Sequence, residues 1–201
     1  MIQNIIFDFG GVFINLDTDA VTRGLNSYGL IAPDPDLLSL SEQYEKGEVD
    51  STTFLRRVQQ GIPGSQQERI RQIWNATIAD FPLRRLDFLI KLKESGRYRM
   101  FLLSNTNALH IEQVRENMGK DLFDRFRGCF ETFYLSHEIG MRKPDPEIFS
   151  FVLDNNGLKP EETLFIDDTK EHIESAAGLG IKTWHLDVHK ESILELNKYL
   201  V

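Results

Sequence analysis

Residues 5–17 read IIFDFGGVFINLD. The opening apolar run has the character of a strand buried on both faces, yet one carboxylate, Asp8, cuts it, and Gly10 and Gly11 come soon after. Taken with the preceding residues, 2–7 (IQNIIF) read as the first strand of a buried sheet. Its end is marked by a charged residue where a core would want none.

Downstream of this stretch the pattern turns helical. The segments DTDAVTRGLNSYG, PDLLSLSEQYEKG, DSTTFLRRVQQG and SQQERIRQIWNATI begin near Asp or Ser, and three of the four close on Gly, as capped helices do. No strand signal interrupts them. Residues 16–80 therefore read as a helical insertion, a cap, and 1–15 with 81–201 as the core that carries it.

From residue 83 onward helices and strands alternate. LRRLDFLIKLKESG, ALHIEQVRENMG, DPEIFSFVLDNNG, KEHIESAAGLG and KESILELNKYL read as helices. YRMFLLS, FETFYLS, TLFID and KTWHL read as strands between them. This alternation predicts an α/β fold with a Rossmann-like parallel sheet, the cap leaving after the first strand. Ligands of such sheets bind outside the carboxyl ends of the strands, where a block leaving that edge would cover them.

Composition fits an enzyme of ordinary kind. The 201 residues are 41% hydrophobic and 27% charged, with a formal net charge of −8. That sign disfavours nucleic acid and anionic membrane as partners. The lone cysteine, Cys129, allows no intrachain disulfide and reads as a small buried hydrophobe. No basic leader or spanning apolar run is seen, so a cytoplasmic monomer or weak homodimer is expected.

The chemistry lies at the carboxyl ends of the strands. Strand one ends at Asp8, the FLL strand at Ser104-Asn105 and the LFI strand at Asp167-Asp168; the loop after FYLS delivers Lys143. One sheet edge thus collects three carboxylates, a hydroxyl and an ammonium. Crowded carboxylates repel, and burial raises their pKa. A hard dication resolves the conflict: Mg²⁺ takes one or two carboxylates, waters and a substrate phosphate. Lys143 and Ser104 then suit phosphate oxygens, and Asp8 suits attack on phosphorus. Singly, Asp8 also reads as a turn former or helix cap, Asp167-Asp168 as the cap before Lys170, Ser104-Asn105 as the cap before Ile111, and Lys143 before Pro144 as a solvated loop charge.

In chain order, DFGGV (8–12), LLSNT (102–106), RKPDPEIF (142–149) and FIDDT (165–169) resemble the four motifs of the haloacid dehalogenase (HAD) superfamily of phosphatases. The likeness runs nearly the whole chain and includes YEKGEVDSTTFLRRV in the cap. It implies Asp8 as nucleophile, Mg²⁺ held by Asp8, the Gly10 carbonyl, Asp167 and Asp168, and phosphate held by Ser104, Asn105 and Lys143. A small phosphorylated metabolite, such as a sugar phosphate, is the implied substrate.

Gly10 departs from that pattern. Most phosphatases of the family carry there a second aspartate that protonates the leaving group, a role worth about 10² to 10⁴ in rate. Three readings compete. The enzyme works without that acid, as in the subgroup resembling α-glucose-1-phosphate phosphatase, whose first motif is also D-x-G-x-V. Or the reaction is a metal-free haloacid dehalogenation, against which the acidic pair Asp167-Asp168 argues. Or the chain binds phospho-ligands without catalysis.

Asp17 reads as the N-cap of the first cap helix, with leaving-group contact as the alternative. His172 reads as a helix-surface histidine near the site. No histidine spacing suggests zinc. Arg56, Arg57, Arg69 and Arg71 read as a solvated helix face, and the phenylalanines as core. Gly10-Gly11 lacks the spacing of a dinucleotide-binding fingerprint.

Overall fold

A computed structural model describes residues 1–29, 35–62 and 64–200. The expected cap includes residues 30–34 and 63, which lie outside the described residues. The elements run β1 (Asn4–Phe7), α1 (Ala20–Asn26), α2 (Pro35–Glu45), α3 (Ser51–Gly61), α4 (Gln67–Asn75), α5 (Leu83–Glu94) and β2 (Arg99–Ser104). They continue with α6 (Ala108–Met118), α7 (Lys120–Arg127), β3 (Thr132–Leu135), α8 (Ser136–Ile139), α9 (Pro146–Asn156), β4 (Thr163–Asp167), α10 (Lys170–Gly178) and β5 (Lys182–His185).

The strands form one sheet in the order β3-β2-β1-β4-β5, every pair parallel. β1 sits at its centre with all four residues buried, which is why it reads as an unbroken apolar run. One face packs on an aromatic cluster in which Phe7, Phe9, Phe13, Phe126 and Phe130 meet at centroid distances of 5.1–6.1 Å. The phenylalanines are core, as the sequence suggests. The other face packs on Ile148, Phe149, Val152 and Phe165. Cys129 is buried and burial pushes its thiol up, as an inert core residue requires.

Two expectations need correction, and helix α7 lies in a stretch that the sequence patterns above assign to no element. Gly119, at φ +75°, breaks the backbone after α6, and Phe123 and Phe126 then form a buried stripe three residues apart. The strand expected over 130–136 is shorter, because Ser136 opens α8. The closing helix is a 3₁₀ segment, Ile193–Tyr199, started by a capping box of Ser192 and Glu195.

Helices α1–α4 carry an apolar cluster of their own: Leu25, Leu40, Tyr44, Phe54, Leu55, Val58, Ile62, Ile70 and Ile73. The cluster is completed by Leu109 of α6, so the block is seated on the helix after β2. Tyr44 stacks on Phe54 at 4.4 Å, and its hydroxyl accepts the Leu109 N–H at 3.2 Å. The two connections to the sheet pair with each other. Asn15 N–H donates to Asp80 O at 2.9 Å, Asp17 N–H to Thr77 O at 3.0 Å and Ala79 N–H to Asn15 O at 3.1 Å. Arg142 reaches Glu45 and Glu42 at the far end of α2, at 3.1 and 3.3 Å.

A stacked pair closes this seat. Trp74 lies on His110 at 5.3 Å and 19°. His110 Nε2 donates to the Trp74 carbonyl at 3.2 Å, and Nδ1 accepts from the Asn107 carboxamide at 3.1 Å. Both ring nitrogens are satisfied only in the neutral form, and burial brings the pKa down from 6.5 to about 4. A depressed histidine pKa makes the unfolded chain bind more protons between those values, so stability falls as pH drops from 6.5 towards 4. Part of the residue stays accessible. The expected loss is therefore about 1–2 kcal/mol, below the roughly 3 that the shift would give at full burial. Urea unfolding of wild type and His110→Gln between pH 7 and 4 measures it; parallel pH profiles would disprove it.

Candidate active site

Asp8 is the first residue past β1, and its N–H still donates to Ile166 O of β4 at 2.9 Å. The chain then folds back tightly. Val12 N–H donates to Gly10 O at 2.6 Å, and Phe13 N–H to Phe9 O at 2.9 Å. That turn drops Val12, Phe13 and Ile14 into the core while holding the Asp8 carboxylate at the sheet edge. Gly11 is required here twice. Its φ is +66°, and a Cβ on it would overlap the carboxylate of Asp168.

Lys143 is the hub. Its side chain is fully buried, and Nζ donates to Asp8 Oδ1 at 2.7 Å and to Asp167 Oδ2 at 2.6 Å. Asp8, Asp167 and Asp168 place carboxylate oxygens within 4.8 Å of one another. Were all ionised, these three carboxylates would face the single ammonium of Lys143. The titration shows the conflict. Burial pushes Asp8 up to about 7, aided by Asp167 and Asp168 and opposed by Lys143. Burial acts on Asp167 in the same sense, but Lys143 and His172 outweigh it and bring that carboxyl to about 2. Burial and then Asp167 raise Asp168. For Lys143, burial is overcome by the two aspartates, and the ammonium is held charged.

Ser104 ends β2, the neighbour of β1, and is buried, and its hydroxyl makes a 3.4 Å contact to the Asn105 carbonyl. Asn105, expected among the phosphate-binding residues, has its side chain engaged with the backbone of Lys143. Its carboxamide accepts the Lys143 N–H at 2.9 Å and donates to the Lys143 carbonyl at 2.8 Å. Both polar atoms are thereby committed to aiming the lysine. Ser136, unremarked in the sequence, exchanges two 2.9 Å bonds with the Thr106 backbone and ties the end of β2 to that of β3.

His172 belongs to the site rather than to the helix surface. Its Nδ1 donates to both Asp167 oxygens, at 3.0 and 3.1 Å. It lies in the first turn of the helix that leaves β4, and such a turn faces back to the strand's carboxyl end; that was the available signal. Asp17 is not the N-cap of α1. It pairs with Arg23, whose hydrogen bond is the main cause holding its carboxyl low, and Asp19 takes the N-cap position of α1.

The carboxylate trio fits a hard divalent cation: its donors are all oxygen, they converge, and their charge is under-compensated. No helix among the described residues is long and apolar enough to cross a membrane.

A family model for haloacid dehalogenase-like hydrolases matches residues 2–180. The chain is 32% identical over 195 residues to the D-ribitol-5-phosphate phosphatase of Bacteroides thetaiotaomicron, covering 92% of this chain and 91% of that one. It is 29% identical over 198 residues to the sesquiterpene phosphatase astK of Aspergillus oryzae, covering 96% and 94%. Among solved structures it superposes with TM-score 0.83, at 32% identity, on a HAD family enzyme from Bacteroides thetaiotaomicron in complex with magnesium and inorganic phosphate; coverage is 95% and 97%. A motif-bearing sheet edge, a match over most of the chain and a relative alike from end to end place this protein in the haloacid dehalogenase-like hydrolase family.

Proposed function

We propose that the chain, a magnesium-dependent phosphatase of this family, hydrolyses a small phosphomonoester through an aspartyl-phosphate on Asp8. The buried Lys143 bridge between Asp8 and Asp167 carries the reading. Desolvating an ammonium and its carboxylates costs about as much as their attraction returns, so such a cluster is weakly justified by stability and better by chemistry.

In this reading Asp8, Asp167, Asp168 and the Gly10 carbonyl hold the cation. Bound Mg²⁺ supplies positive charge against the phosphate oxygens. Ser104 and Lys143 hold the phosphate, with Asn105 fixing the lysine and His172 fixing Asp167. An Asp8 oxygen attacks phosphorus in line; the Asp8–phosphorus bond forms as the ester O–P bond breaks, and the alcohol leaves. Water then attacks phosphorus, releasing phosphate and restoring the carboxylate. Positioning and charge stabilisation supply most of what such transfers need. Residues 16–80 act as a cap that excludes bulk water. The likeness to a ribitol-phosphate phosphatase supports a sugar or polyol phosphate as substrate.

The test is phosphate release from sugar phosphates, polyol phosphates, a terpenyl phosphate and an activated aryl phosphate, with Mg²⁺ or EDTA. Release that needs Mg²⁺ is expected. Release undiminished in EDTA would remove the cation from the mechanism, and its complete absence would leave a binding role.

A further inference from the structure

Lys143 is carried on a turn. Residues 142–145 are closed by the Asp145 N–H, which donates to the Arg142 carbonyl at 3.1 Å and leaves Lys143 and Pro144 as the two central residues. The core holds the centre of this turn. Asn105 grips the backbone of Lys143, and Ser175 Oγ donates to the Pro144 carbonyl at 2.6 Å. The α1–α4 block holds both corners. Arg142 reaches Glu45, the last residue of α2, with Nε at 3.2 Å and Nη2 at 3.1 Å from one carboxylate oxygen, and its Nη1 lies 3.3 Å from Glu42. At the other corner the Asp145 carboxylate meets Lys46 Nζ at 3.3 Å. Gly47 follows so close to α8 that a Cβ on it would lie 2.2 Å from the His137 carbonyl oxygen.

Adjacent residues 45 and 46 thus engage the first and last residues of the turn with opposite polarity, acid to base and base to acid. Exchanging the partners would set Glu45 against Asp145 and Lys46 against Arg142, so the charges admit one seating of the turn. The side chains of Arg142 and Glu45 are 24% and 25% exposed, those of Lys46 and Asp145 32% and 49%, which makes the first pair the stronger hold. All three guanidinium nitrogens of Arg142 face glutamates, so the group is engaged away from any phosphate. We infer that Arg142 is a positioning residue: held by Glu45 and seconded by the Lys46–Asp145 pair, it orients the turn so that Lys143 presents its ammonium to phosphate. The inference rests on the part of the reading above that puts phosphate on Lys143. An ammonium on a flexible four-carbon stem is directed by the backbone that carries it, and a displacement of about 1 Å can cost about 100-fold.

The experiment measures calorimetric binding of inorganic phosphate in Mg²⁺, and KM and kcat for an activated aryl phosphate. The proteins are wild type, Arg142→Met, Lys46→Glu, Asp145→Lys and Lys46→Glu/Asp145→Lys. Arg142→Met should weaken phosphate binding and raise KM by about 10-fold or more. Lys46→Glu and Asp145→Lys should each weaken binding by about 3-fold. The double exchange keeps the net charge and restores a pair across the same corner, so it should recover most of that loss. A role confined to fastening the block to the core would lower the melting temperature and leave phosphate affinity alone. Affinity and KM within about 2-fold of wild type in Arg142→Met would therefore overturn the inference; with release that depends on Asp8, the phosphatase reading would still stand. If Arg142→Met fails to fold, the exposed corner decides, and a double exchange no better than its single variants would overturn the inference. Release indifferent to Asp8→Asn, with phosphate affinity lost in Arg142→Met, would overturn the phosphatase reading and support the positioning role. A wild type that binds no phosphate would overturn both.

Discussion

Asp8→Asn should lower Mg²⁺-dependent phosphate release by about 10⁴-fold or more, the scale on which removal of a covalent nucleophile acts. The carboxamide is nearly isosteric, so packing around residue 8 survives. Its electrostatics change in a direction that can be checked separately. In metal-free protein Asp8 is penalised by burial and by Asp167 and Asp168, which places its pKa at about 7. Neutralising it relieves that penalty. The melting temperature in EDTA should therefore hold or rise, while the stabilisation gained on adding Mg²⁺ should shrink, since a ligand that binds only the folded state stabilises it by mass action. Loss of turnover with a retained fold is the expected pair of results. Turnover within a few-fold of wild type would move the nucleophile elsewhere.

Lys143→Met should be the most destabilising single change in the site. The Lys143 side chain is shut off from solvent, with Asp8 at 2.7 Å and Asp167 at 2.6 Å. Removing one member of a buried ion pair typically costs about 3–5 kcal/mol, because the remaining charge is left without compensation. Here the cost depends on pH. Without the ammonium, Asp8 loses its main opposing influence and its pKa rises further, and Asp167 loses the first cause that depresses it. A carboxyl whose folded pKa lies above its unfolded value binds a proton more readily when folded. Its stability deficit is thus absent below about 4 and grows as pH rises towards the folded value. Urea unfolding in EDTA should show a larger loss at pH 8 than at pH 5. Equal losses at both would mean that lost packing, not stranded charge, dominates. Phosphate release should vanish at either pH.

The sequence alone determined a good deal. Apolar runs such as IIF and LFI, alternating with capped amphipathic segments, specify parallel strands and helices through local periodicity, which tertiary context did not override. Parallel strands all point one way, so the residues at their carboxyl ends collect at one edge. That is why Asp8, Ser104, Lys143 and the pair Asp167-Asp168 are legible in the sequence as one group of residues. The elements that escaped are those whose signal was weak or relational. α7 was hidden behind Gly119 in a short, heavily charged segment, and only the burial of Phe123 and Phe126 reveals its face.

Only the tertiary structure decided what each side chain does. Asn105 clasps the backbone of Lys143, 38 residues away, and His172 turns onto Asp167 because its helix starts at the strand's edge. Leu16 lies over Gly10 because the turn after Asp8 and the paired connections to α1–α4 bring the chain back across the nucleophile. The physical reason is the same in each case. Backbone periodicity is a local property and can be read from a window of residues. The direction of a side chain, the partner that satisfies its polar atoms and the space left beside it are set by packing between segments remote in sequence.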